Sequence, residues 1–285
     1  MTSTRGSRPP LTDPAAPVVR ATSLRKVFGG PAGQADVVAV DDVSFALARG
    51  ESLAVVGESG SGKTTVARML VGLERPTAGE IEFEGRRREH GRRMPTRARR
   101  EWARIVQMVF QDSYSSLDPR QTIADGLDEI VGLHEGGAPA ARQARVAELL
   151  DQVGLFERVG RARPANLSGG QRQRAAIAKA LAARPKVLVL DESVSALDVS
   201  VQAQVLNLLA DIRQATRMSY IFISHDLAVV RQVADRVIVM RGGVVVEEGR
   251  TAAVLDRPVD AYTRRLRESV PRPGGRPGAA VAQAE

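Results

Sequence analysis

This sequence predicts an α/β fold in which a parallel sheet carries an inserted helical subdomain. Three observations point there. The runs Ser52 to Val56 and Val187 to Leu190 are continuously apolar, as strands covered on both faces of a parallel sheet should be. Apolar residues recur at helical spacing in three stretches: Ile123, Leu127, Ile130 and Val131; Val146, Leu149, Leu150 and Val153; and Val201, Val205, Leu208, Leu209 and Ile212. Residues from about 120 to 180 contain no convincing strand, so the helices there form a block of their own. A length of 285 residues permits one large α/β domain or two smaller ones, and 43% hydrophobic residues suffice for a core.

Along the chain, residues 1–17 are rich in Pro, Ser and Thr and are expected to be a disordered tail. The folded part is expected over 18–268. Further β-like runs lie at Val37 to Leu47, Glu80 to Glu84, Ile105 to Phe110, Tyr220 to Ile223 and Val237 to Met240. Residues 269–285 are rich in Pro, Gly and Ala without apolar period and are expected to be a second disordered tail. The absence of cysteine excludes a disulfide-stapled secreted domain and a thiolate zinc site. No run approaches 18 apolar residues, and the first 17 lack a signal-peptide core, so a soluble, cytoplasmic product is expected.

The formal charge of +8 is local. Residues 86–104 hold nine arginines against Glu89 and Glu101, a net +7. A solvated helix or loop is the plain expectation for this segment, with contact to anionic lipid headgroups as the alternative and nucleic acid a remote one.

Chemistry enters after the strand Ser52 to Val56. There follow Gly57, Glu58, Ser59, Gly60, Ser61, Gly62, Lys63, Thr64 and Thr65, then a helix-compatible segment to Leu73. This is G-x-x-x-x-G-K-[ST] in its required strand-loop-helix setting. Its glycines let backbone N–H groups converge on a polyphosphate, and the helix N-terminus adds partial positive charge. Lys63 can reach the β- and γ-phosphates, and Thr64 can offer its hydroxyl to Mg²⁺.

A second buried strand ends in Asp191 and Glu192. Two acids at a strand end would by themselves suit a solvated turn better, but paired with the phosphate loop they suit Mg²⁺ binding by Asp191 and activation of the attacking water by Glu192. His225 also follows a strand, and either contact with the γ-phosphate or a bland surface role fits it. His90 and His134 are expected to face solvent.

Leu167, Ser168, Gly169, Gly170 and Gln171 resemble the signature of the ATP-binding cassette (ABC) ATPases, and the order of motifs along the chain is that family's. Gln111 resembles its Q-loop glutamine, Ser195, Ala196, Leu197 and Asp198 its D-loop, and His225 its switch histidine. Phe28 sits where the family places an adenine-stacking aromatic, with a core side chain as the other reading. More narrowly, Phe110 to Ile123, Ser193 to Leu209, and Ala261, Tyr262 and Thr263 near Val270 and Pro271 are similar to the oligopeptide/dipeptide importers. Asn166, Ser193 and the stretch Asp256 to Tyr262 depart from that subfamily's pattern.

The resemblance implies a P-loop NTPase core with an antiparallel β subdomain and an inserted α-helical signature subdomain. It implies ATP and Mg²⁺ as cofactors, with Thr64, Gln111 and Asp191 near the metal and Glu192, Gln111 and His225 at the reaction. A second cassette, identical or not, would complete each ATP site, with Ser168 and Gly170 meeting the γ-phosphate held by Lys63 of the opposite copy. Transmembrane permease subunits and, indirectly, an extracytoplasmic solute-binding protein would complete the machine, at the cytoplasmic face of the membrane and without nucleic acid. Peptides are the cargo implied first. Nickel, glutathione or peptide export, or a soluble non-transport ABC ATPase, are the alternatives.

Overall fold

Alternation across one strand explains the architecture. In β3 (Ser52–Val56), Leu53 and Val55 join one apolar cluster while Ala54 and Val56 join another, so both faces of the strand are covered. The same division splits β7 (Val187–Asp191), with Val187 and Val189 on one side and Leu188 and Leu190 on the other. That is why both runs are continuously apolar. The computed structural model describes residues 16–30, 35–89, 94–112, 114, 116–193 and 197–269. The tails expected at the two ends lie almost wholly outside these residues, as does His90.

The larger sheet has six strands in the order β10-β9-β3-β8-β7-β6, where β6 is Val106–Val109, β8 Ser219–Ser224, β9 Arg236–Arg241 and β10 Val244–Arg250. All its pairings are parallel except that of β9 with the edge strand β10. The parallel strands therefore end on one edge of the sheet, the edge that binds ligands in open α/β folds. A second, antiparallel sheet runs β2-β1-β4-β5, built from β1 (Val19–Phe28), β2 (Val37–Leu47), β4 (Ala78–Phe83) and β5 (Arg86–Arg87).

Between β6 and β7 the described residues contain helices and no strand: α3 (Ile123–His134), α4 (Pro139–Gln152), α5 (Glu157–Gly160) and α6 (Gly169–Leu181). Thr122 begins α3 with a reciprocal cap, its hydroxyl accepting the Asp125 N–H. The remaining helices are α1 (Lys63–Val71), α2 (Thr96–Ala103), α7 (Val199–Thr216), α8 (Leu227–Val233), α9 (Thr251–Asp256) and α10 (Ala261–Glu268). No helix among the described residues is long and apolar enough to cross a membrane.

The structure corrects three expectations. Strands β1, β5 and β10 were not foreseen. The arginine segment is not uniformly solvated: Arg88 is buried, donates to the Leu70 and Val71 carbonyls at 2.9 and 2.8 Å, and stacks on Trp102. It thereby satisfies carbonyls that the end of α1 leaves free, where a cation is also favoured by the helix dipole. Burial pulls its guanidinium down to about 10. Arg86, Arg87 and Arg97 do lie at the surface, paired with Glu101 or Glu80.

His134 is the third correction, because it is buried rather than solvent-facing. It continues the stripe of Ile123, Leu127 and Val131 into the core, its carbonyl accepts from Arg104, and its Nδ1 has no hydrogen-bond partner among the described residues. Burial, then Arg104 and Arg100, hold the imidazole below its ordinary value, with Glu135 opposing. The folded state thus prefers the neutral ring, whereas the unfolded ring protonates near pH 6.5. Its contribution to stability is complete above that pH and is lost as pH falls through the folded value. Melting temperature should accordingly fall less between pH 7.5 and 5.5 in His134→Gln than in the wild type; equal slopes would refute this assignment.

Candidate functional site

Four parallel strands deliver the candidate side chains to one sheet edge. After β3 the chain turns through residues 57–62 into α1, with Gly57, Gly60 and Gly62 at φ of 151°, 79° and 98°. Glycine is required here for space as well as torsion. A Cβ at Gly62 would lie 2.3 Å from the Ala39 carbonyl oxygen, and one at Gly57 would lie 2.1 Å from that of Met240. Glu58, Ser59 and Gly60 form the exposed crest of the loop, while Ser61 is buried and Thr65 sits in the first turn of α1.

Lys63 is only 5% exposed, and its ammonium donates to the Gly57 and Glu58 carbonyls, both at 2.8 Å. Burial pulls its pKa below the usual lysine value, while Glu192, Asp191 and Glu58 favour the charged form. Thr64 donates its hydroxyl to Asp191 Oδ1 at 3.2 Å. Asp191 ends β7 and is itself buried. Its carboxyl is pushed upward by burial, with Glu192 adding and the Thr64 hydrogen bond, Arg68 and Lys63 opposing.

One residue on, Glu192 adopts the left-handed region at φ 44°, and its N–H donates to the Ile223 carbonyl at 2.9 Å. A non-glycine residue in this region stores backbone strain, a frequent property of working sites. Its carboxylate is shared. Gln111, two residues beyond β6, donates through Nε2 to Oε2 at 3.0 Å, and His225, just beyond β8, places Nδ1 3.2 Å from Oε1. Three side chains from the ends of three neighbouring strands therefore converge, and the pair from Lys63 and Thr64 stands beside them through Asp191.

The signature residues occupy a different element. Ser168 caps α6, its hydroxyl accepting the Gln171 N–H at 3.3 Å while Gln171 Oε1 accepts the Ser168 N–H at 3.0 Å. Leu167 is buried, and its carbonyl accepts from Arg172 at 2.7 Å. Gly170 lets the helix start approach α7, where a Cβ would lie 2.5 Å from Val201 Cγ1. Leu197 and Asp198 lead into α7, whereas Ser195 and Ala196 lie outside the described residues.

Phe28 ends β1 and is 38% exposed, with Lys26 Nζ 4.7 Å from its ring centroid, so of the two readings the structure disfavours a core side chain. Sequence reasoning did not foresee the contact of Tyr262 with the loop, where its hydroxyl accepts the Glu58 N–H at 2.9 Å. The signal available was an aromatic residue two positions after Asp260, a helix-capping type.

The residues fit a magnesium nucleotide. Thr64 and Asp191 offer hard oxygen donors side by side, as Mg²⁺ prefers. Among the described residues no cluster of three or more His, Cys, Asp or Glu could hold a metal by itself.

The family model for ABC transporters matches residues 40–195. A Brucella abortus protein named for peptide import, as its ATP-binding component, is 47% identical over 82% of this chain and 70% of its own length. The glutathione import ATP-binding protein of Salmonella typhimurium is 47% identical over 83% of this chain, which spans only 37% of that longer protein. Among solved structures, a dimeric post-hydrolysis ATP-binding cassette bound to ADP and Pi superposes with a TM-score of 0.72 at 26% identity, over 82% of this chain and 98% of that one. A component of an ABC transporter complex from Clostridium perfringens gives 0.73 at 25% identity, over 85% and 92%. With the family model covering more than half its length and relatives nearly half identical to it, the chain belongs to the ABC transporter family, among its ATP-binding cassettes.

Proposed function

We propose that this chain binds and hydrolyses ATP to drive a membrane importer of small peptides. The observation that carries the catalytic part is the Glu192 carboxylate, held between Gln111 and His225 beside the phosphate loop. Each carboxylate oxygen has two lone-pair sites, so Glu192 can keep both neighbours and still accept a proton from water. His225 and Gln111 fix its direction. Lys63 would exchange its loop carbonyls for phosphate oxygens, and the backbone N–H groups of residues 60–63 would meet the same anion. Thr64, Asp191 and the side-chain amide oxygen of Gln111 would hold Mg²⁺; the ion would neutralise charge on the phosphates when bound.

The signature serine and glycines belong to α6 and its cap, and in this reading they act on the nucleotide of a second cassette facing the first head to tail. The dimeric state of the superposed cassette supports that arrangement. Permease subunits are proposed as the membrane partners, together with an extracytoplasmic solute-binding protein, which places the chain at the cytoplasmic face of the membrane. A groove of about 930 Å³ supports a docking surface. It is lined by Leu73, Arg75, Met94, Arg99, Trp102 and Phe110, and Phe110 directly precedes Gln111. Movement of a segment seated there would reach Gln111 and, through it, Glu192.

Peptide cargo is supported by the Brucella relative's name, and glutathione, itself a small peptide, falls in the same class. The test is uptake of a labelled dipeptide and tripeptide by cells expressing the transporter with and without this chain. Loss of uptake that the wild-type chain restores and Glu192→Gln does not is the expected result. Unchanged peptide uptake without the chain would overturn the cargo.

A further inference from the structure

The phosphate loop is held from a part of the chain more than 180 residues away. Three contacts meet on residues 57–61. The Gly57 backbone abuts the Met240 carbonyl so closely that only glycine fits. The Gly243 N–H, from the turn between β9 and β10, donates to the Ser61 carbonyl at 3.1 Å. Between them, the Tyr262 hydroxyl accepts the Glu58 N–H at 2.9 Å.

Tyr262 is held firmly. It is buried, Arg241 lies 5.2 Å from its ring centroid, and the Asp260 carboxylate accepts its N–H at 2.7 Å. Glu247 on β10 then accepts the N–H groups of Val259 and Asp260 at 2.9 and 3.1 Å, which ties α10 to the sheet. The turn between β9 and β10 is anchored in turn, since the Gly243 carbonyl accepts the Asp41 N–H at 2.9 Å. Two of the three loop contacts are made by backbone and follow from the fold. The third depends on one side-chain oxygen.

We propose that Tyr262 is a positioning residue for nucleotide binding, its hydroxyl pinning the start of the phosphate loop so that the following N–H groups stay converged. The inference rests on the nucleotide reading of that loop. Its physical basis is preorganisation: a loop already in its binding shape loses less freedom when the anion arrives. Without the pin, only a fraction of loops are competent at any moment, and apparent affinity falls by that fraction.

Tyr262→Phe keeps the ring, its burial and the Arg241 contact, and removes only the oxygen. In the purified full-length chain, affinity for a fluorescent ATP analogue is expected to fall about three- to tenfold, the scale of one hydrogen bond. KM for ATP should rise by the same factor with kcat retained, and amide exchange in the peptide containing Glu58 should quicken. A merely structural role would lower the melting temperature and leave KM unchanged. Wild-type affinity together with unchanged exchange at Glu58 would overturn the proposal, whatever the variant's melting temperature. Lys63→Ala is run alongside. If it loses ATP while Tyr262→Phe keeps it, only the role of Tyr262 falls; if it binds ATP as the wild type does, the nucleotide reading falls and this inference with it.

Discussion

Replacing Glu192 with Gln is expected to cut ATP turnover by about 10²- to 10⁴-fold, the range typical of removing a general base, while leaving ATP binding intact. The substitution conserves volume but replaces one acceptor oxygen by an NH₂ donor, so the amide oxygen can still accept from Gln111, the NH₂ faces His225 Nδ1, and the proton acceptor is gone. ATP bound but not cleaved should then accumulate with two cassettes closed around it. Size-exclusion chromatography with ATP and Mg²⁺ should show a dimer for Glu192→Gln and mostly monomer for the wild type after turnover. An ATPase rate close to wild type would remove Glu192 from the role of base, whichever oligomer formed.

Lys63→Ala should weaken ATP binding by about 50-fold or more, since charge-assisted hydrogen bonds contribute about 2–3 kcal/mol and every 1.4 kcal/mol is tenfold in affinity. The structure shows why the loss should be specific. Among the described residues, the Lys63 ammonium hydrogen-bonds to the loop's own oxygens, the Gly57 and Glu58 carbonyls and, more distantly, Ser61 Oγ, so it is available to a phosphate at little cost elsewhere. Calorimetric titration with a non-hydrolysable ATP analogue measures it. Wild-type affinity in the variant would mean that the loop binds something other than a polyphosphate.

What could be read from sequence divides along physical lines. Strands β3 and β7 were legible because burial on both faces leaves no room for polar residues, and the turn from β3 into α1 because its glycines are tied to one geometry. Strand β1 was not, because Arg20, Arg25 and Lys26 interrupt its apolar residues and its register shifts at three points against β2. Strand β10 is an edge whose two glutamates blur the alternation. His134 was expected to face solvent although it falls in phase with Ile123, Leu127 and Val131. Reading the stripe to its end would have found it.

Arg88 shows the converse limit. Its neighbours Arg86 and Arg87 are exposed, and nothing in a run of arginines tells which one turns inward. The selection is made by the C-terminus of α1, a chain segment some 17 residues away, and by Gly72, where a Cβ would come within 2.3 Å of the Arg88 guanidinium. Similarly, the individual candidates Gln111, Glu192 and His225 could be picked out, but their meeting on one carboxylate depends on the strand order of the sheet and on the left-handed turn at Glu192.

That strand order also bears on how the protein is made. Strand β3 carries the phosphate loop and lies between β8 and β9, yet those partners are synthesised more than 160 residues after it. At about 5–20 residues per second, a ribosome leaves both edges of β3 unmatched for roughly ten to thirty seconds. During that interval an apolar segment with open edges is exposed to any other nascent chain. The sheet edge that carries the candidate site is thus among the last parts of the molecule to be assembled during translation, and a ribosome that stalls before residue 219 holds a chain in which β3 lacks both neighbours.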